Sequence, residues 1–108
     1  MKPLKFHPKA LEFIRSLSVN FRKQIGEALR DIQKGLLPGM PLNKPMPSVA
    51  PGVFELRVKD KSKNVRVFYI AKLSDFILVF HAFDKKTSKT PHHEINLGKK
   101  RLKEALSD

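Results

Sequence analysis

At 108 residues, with 22 Lys plus Arg against 10 Asp plus Glu, the chain has the length of one domain and a formal charge of +12. That excess points to phosphate-rich partners or an acidic protein, and the lack of cysteine excludes a disulfide framework, a thiolate zinc site and a cysteine nucleophile. The opening MKPLKFHPKALEF lacks the continuous apolar core of a signal peptide and no apolar run approaches membrane-spanning length, so a cytoplasmic protein with one domain over 1–108 is expected.

Leu4-Lys5-Phe6 reads as a short strand, and Pro8 opens a helix carrying Leu11, Ile14 and Leu17 at three-residue intervals. Ser18 predicts an N-cap for a second helix over 19–34, with Phe21, Ile25, Leu29 and Ile32 on one stripe and Gly35 marking its end. On its outer face Arg22, Lys23, Arg30 and Lys34 read as solvated cations. Residues 36–52 hold five of the eight prolines and two glycines, which excludes a helix or a central strand there.

From Val53 the period changes to two. Phe54, Leu56 and Val58 alternate with Glu55, Arg57 and Lys59, and Val65, Val67 and Tyr69 alternate with Arg66, Phe68 and Ile70. A hairpin turning at 60–63, with Val58 opposite Val65, lines up the apolar sets and also sets Arg57 opposite Arg66. Like charges directly opposite on a sheet repel, so the pair asks for a counter-ion, either Glu55 or something bound from outside. A third strand is expected over 76–83 and a last helix over 91–106. Thr90 would cap that helix, Pro91 would be its first residue, and Ile95, Leu102 and Leu106 would face inward. Gly98 inside it costs about 1 kcal/mol of helix propensity. The resulting fold class is α+β, two N-terminal helices packed on a small antiparallel sheet with a C-terminal helix, leaving the other sheet face free for cations.

The chemistry gathers around residues 80–95, FHAFDKKTSKTPHHEI, where an apolar strand runs into a basic loop and a helix N-terminus, a setting that favours anions. Arg57 and Arg66 on one face, with Lys85, Lys86 and Lys89 leaving the third strand, can surround a phosphate; Arg gives bidentate contact and Lys a point charge. Lys59, Lys61 and Lys63 around the hairpin turn join Lys89 as candidate RNA contacts. With an imidazole, metal-free cleavage of RNA by its own 2′-OH becomes possible, since that reaction needs a proton acceptor, cations on the phosphorane and a proton donor for the leaving oxygen. His92 and His93 are adjacent and point to different faces, so only one can serve, and two histidines make a poor metal site. His81 reads as a satisfied inner histidine and Tyr69 as core. Phe68, Phe80 and Phe83 suit either core packing or base stacking, and His7 carries no signal above background. No glycine-rich phosphate loop, paired-carboxylate site or nucleophile elbow is visible, so no cofactor and no metal are expected.

FELRVKDKSKNVRVFYI and ILVFHAFDKKTSKTPHHEINLGKKR together resemble the phage-derived, HigB-like branch of the RelE/ParE toxin superfamily. The resemblance covers 54–101 and is sharpest in Glu55-Leu56-Arg57, in Arg66-Val67-Phe68-Tyr69 and in the run from Phe83 to Pro91. It implies a toxin of a type II toxin–antitoxin pair, an endonuclease that cuts mRNA on the ribosome without metal and leaves a 2′,3′-cyclic phosphate. It further implies a helix-turn-helix, HigA-like antitoxin as partner. By position, Arg66 corresponds to the arginine on the scissile phosphate, Arg57 to that of the ELR-like triplet, Lys85 or Lys86 to the following cation, and His92 to a tyrosine or histidine near the C-terminus. RelE itself has arginine where this chain has lysines. Two alternatives keep the fold: a ParE-like gyrase inhibitor, and a basic nucleic-acid-binding module without catalysis.

Overall fold

The computed structural model describes residues 1–107. The elements run β1 (Leu4–Phe6), α1 (Pro8–Arg15), α2 (Val19–Gln33), β2 (Asn43–Pro45), β3 (Val53–Lys59), β4 (Asn64–Ile70), β5 (Ile77–Asp84) and α3 (His92–Leu106). One five-stranded sheet is built in the order β1-β5-β4-β3-β2. The β3–β4–β5 meander is antiparallel, as the alternation requires. β1 adds to its edge parallel to β5, and β2 adds antiparallel to the opposite edge. β2 arises inside the proline-rich segment, and its Pro45 is tolerated because an edge strand need not donate every N–H.

The helix signals act as expected. The Ser18 hydroxyl accepts from the Phe21 N–H at the start of α2, and Gly35 turns the chain out of its end at φ +88°. Phe21, Ile25, Leu29 and Ile32 join Ile14 and Leu17 against Leu56, Val58, Val65, Val67 and Tyr69, forming a core on one sheet face. Tyr69 is fully buried, and its hydroxyl donates to Asn43 Oδ1 at 2.6 Å. Burial pushes its pKa up to about 12.

The opposite face is not free. A second core there joins Met46, Val49, Val53, Phe68, Leu78, Phe80, Phe83 and Leu102, so α3 and the 46–50 turn cover most of what the fold-class reading left open to cations. A bulge in β5 supplies the extra bulk. Phe68 faces His81 but Tyr69 faces Val79, so Phe80 is the additional residue, and Phe80 and His81 both come to the α3 side. Phe68, Phe80 and Phe83 are therefore core residues rather than a base-stacking platform. Two details of α3 also differ from expectation. Its N-cap is Pro91, without a side-chain hydrogen bond, because the Thr90 hydroxyl is engaged elsewhere, and Leu106 lies 47% exposed at the last turn. No helix among the described residues is long and apolar enough to cross a membrane.

Gly98 has a positive reason to be glycine. A Cβ there would stand 2.9 Å from Phe68 Cδ2, and Phe68 is held by Phe80, His81 and Phe83. Gly98→Ala should thus destabilise the fold. Overpacking costs about 1–3 kcal/mol, against a gain of about 1 kcal/mol in helix propensity, so the urea midpoint should move down; a higher midpoint would disprove the close approach.

Candidate functional site

The register that sets Arg57 opposite Arg66 also points Glu55 to the same face, two residues along β3. Glu55 is fully buried. Its Oε1 accepts from Arg57 Nε at 3.2 Å and lies 3.5 Å from Arg66 Nε, while its Oε2 accepts from the Thr90 hydroxyl at 2.8 Å. Glu55 is thus the counter-ion that the arginine pair demands, and it also anchors the residue leading into α3. Arg66 is 8% exposed, and its buried Nε faces Glu55 Oε1 as an ion pair without a formed hydrogen bond. Burial pushes the Arg66 guanidinium below its ordinary pKa, with Glu55 pulling it back up and Arg57 adding to the lowering.

Of the sequence-predicted lysines, Lys85 is the one drawn to this cluster. Its pKa is lowered first by burial and then by Arg66, with smaller effects from Glu55, Arg57 and Lys44, and its Nζ donates to the Ser88 carbonyl at 3.0 Å. Lys86 is exposed beside the hairpin turn, in a shallow concavity shared with Lys61, Lys63 and Asp84. Lys59 is exposed at the end of β3. Lys89 lines a groove with Lys85 and Arg57. His92 and His93 are exposed in the first turn of α3; neither lines a groove beside the arginines, and His93 Nε2 sits 3.4 Å from Glu94 Oε2. Lys44 is the cation that sequence reading passed over. It pairs with Glu55 across β2 and β3, and only the edge strand built inside the proline-rich segment brings it there.

Arg57 stands between two grooves. One, of about 520 Å³, is bounded by α2 and the 38–42 segment, and it includes Glu27 and Asp31 as well as Arg57 and Arg66. The other, of about 390 Å³, lies between the 44–48 segment and the 85–90 loop. Among the described residues no group of three or more His, Cys, Asp or Glu is placed to hold a metal ion.

Two histidines tie the body of the fold to α3. His81 is 1% exposed; its Nδ1 accepts from Arg101 at 2.8 Å, which leaves Nε2 to donate to Glu94 Oε1 at 2.8 Å. His7 caps α1 through Nδ1 and meets Glu104 through Nε2 at 2.9 Å, a role its sequence context did not signal. Burial lowers the His81 pKa, the Glu94 hydrogen bond opposes this, and Arg101 and His7 add to the lowering.

Removing Glu55 would strand two cations. Glu55→Ala should cost about 3 kcal/mol or more, as expected for one partner of a buried ion pair, and a loss in urea unfolding near that of an exposed substitution would refute the hub. For His81 the folded pKa is below the unfolded value, so the unfolded chain takes up the proton first; its stabilising contribution is complete above the unfolded pKa and is lost as pH falls. The fall in Tm between about pH 7 and pH 5 should therefore be steeper for wild type than for His81→Gln.

The family described as Phage derived protein Gp49-like (DUF891) matches residues 12–103. No curated protein matches the chain. The family match takes in the second half of α1, all of α2 and β2 to β5 and most of α3, and with them Glu55, both arginines and Lys85. The chain therefore belongs to the Gp49-like family of phage-derived proteins, a family known as RelE-like and toxin-like.

Proposed function

We propose that this protein is the toxin of a type II toxin–antitoxin pair and acts as a metal-independent endoribonuclease on ribosome-bound mRNA, restrained by a helix-turn-helix antitoxin. The observation that carries this reading is the excess of positive charge around one buried carboxylate: Arg57 and Arg66 both lie against Glu55, and Lys85 stands beside them. Two guanidiniums held in set orientations by one carboxylate, with a net positive charge between them, suit a phosphodiester.

In this reading the 2′-hydroxyl gives its proton to a general base as its oxygen attacks the adjacent phosphorus, and the bond to the 5′-oxygen breaks as that oxygen takes a proton from a general acid, leaving a 2′,3′-cyclic phosphate and a 5′-hydroxyl. Arg57, Arg66 and Lys85 stabilise the negative charge that grows on the non-bridging oxygens. Lys85 acts as a charge, its ammonium lying close enough to Arg66 and Arg57 for each to disfavour its protonated form. His92, exposed in the first turn of α3 two residues beyond the Thr90 that binds Glu55, is the proton-transfer group of this reading.

The test is induced expression in bacteria, with growth followed and mRNA 5′ ends mapped. Wild type should arrest growth and create new 5′ ends within translated frames. Arg66→Ala should lower cleavage about 100-fold, as for loss of one transition-state donor, and Arg66→Lys, which keeps the charge but not the fork, should recover only part. Lys85→Ala should cost more than Lys86→Ala. Arrest with DNA damage and no new mRNA ends would favour the gyrase-inhibitor alternative. The exposed cations of α2 and α3, away from the arginines, favour the simple nucleic-acid-binding module as second reading; RNA binding without arrest or cleavage would select it.

A further inference from the structure

Arg57 borders two grooves, and an RNA strand whose phosphate lies on the arginines must place the neighbouring nucleotide in one of them. Their charges decide which. The larger groove sets the Glu27 and Asp31 carboxylates of α2 against Arg57, Lys59 and Arg66, so its wall facing the arginines repels a phosphodiester strand. The smaller has Lys44, Lys85 and Lys89 around it and no carboxylate among its lining residues. Between those lysines its surface is Pro45, Met46, Pro47 and Ile95, with the hydroxyls of Ser48, Ser88 and Thr90 beside them. An apolar floor with a few polar groups and a cationic rim fits a flat heteroaromatic ring attached to a phosphate.

We propose that this second groove is a nucleobase subsite, holding the base of a nucleotide whose phosphate sits on Arg57, Arg66 and Lys85. The inference rests on the RNA-cleaving reading for its substrate class, but it specifies which side of the arginines the strand occupies and what holds its base. Its volume of about 390 Å³ is within the range of small-molecule sites, roughly 300–1,000 Å³. Two of its walls come from segments with little regular structure, the proline-rich turn after β2 and the loop after β5, and both are fixed to the same hub. Lys44 stands opposite Glu55 in the β2–β3 backbone register, and the Thr90 hydroxyl donates to the Glu55 carboxylate.

The experiment is an amide NMR titration of the full chain with adenosine, with inorganic phosphate and with adenosine 5′-monophosphate. Adenosine should shift the amides of Met46, Ser48 and Ile95 and leave Glu27 and Asp31 in place. Phosphate should shift Arg57, Arg66 and Lys85 alone. The monophosphate should shift both sets and bind at least about tenfold more tightly than adenosine, because its two parts occupy linked sites. Ser48→Trp, at an exposed position on the groove, should abolish the adenosine shifts while sparing those from phosphate. Adenosine shifts at Glu27 and Asp31, or none up to its solubility limit, would overturn the subsite. Cleavage is not read in this titration, so a protein that shows the predicted shifts yet cuts no mRNA would retain the subsite and lose the endonuclease.

Discussion

A carboxylate buried beneath two guanidiniums is the constraint from which the rest of this molecule follows. Glu55 has no solvent exposure, so its charge must be answered inside the protein. The β3–β4 register answers it by placing Arg57 two residues along the same strand and Arg66 directly across. Neither arginine would be comfortable opposite the other without Glu55, and Glu55 would be untenable without them. The two positive charges exceed the one negative, which leaves the cluster cationic.

The same carboxylate fixes the approach of α3. Thr90 donates to Glu55 just before the helix begins, Glu94 and Arg101 hold His81 from either side, Gly98 lets the helix backbone meet the Phe68 ring, and Glu104 reaches His7. These contacts recur along the length of the helix, and the bulge at Phe80 presents the sheet side chains they need. A helix held at so many points by polar groups buried against aromatic rings gives the loop between β5 and α3 a fixed end, so Lys85 and Lys89 are carried on a framed segment.

The cluster also explains the lopsided surroundings of Arg57. On one side α2 contributes acids to a wide groove; on the other the 44–48 turn and the 85–90 loop contribute lysines and apolar side chains. Membership in a toxin-like, phage-derived family suits a small protein whose positive charge is high overall yet sharply sorted at this one place.

The alternation of β3 and β4, the capping Ser18, the terminating Gly35 and the opposition of Arg57 and Arg66 were legible in the sequence, because each rests on local chain geometry or a two-residue period. So was the need for a counter-ion, though not its identity, which was left between Glu55 and a bound group. Other features depend on contacts between distant segments. Thr90 binds Glu55 instead of capping α3, Leu106 lies half open at the last turn of α3, and Lys44 joins the site only because a strand forms among prolines. Gly98 looked like a flaw in a helix until Phe68 was seen beneath it, and the second sheet face looked free until the bulge turned Phe80 and His81 towards α3. Local periodicity determined which residues share a face; what covers that face, and which of its charges remain unsatisfied, was decided only by the packing of segments far apart in the chain.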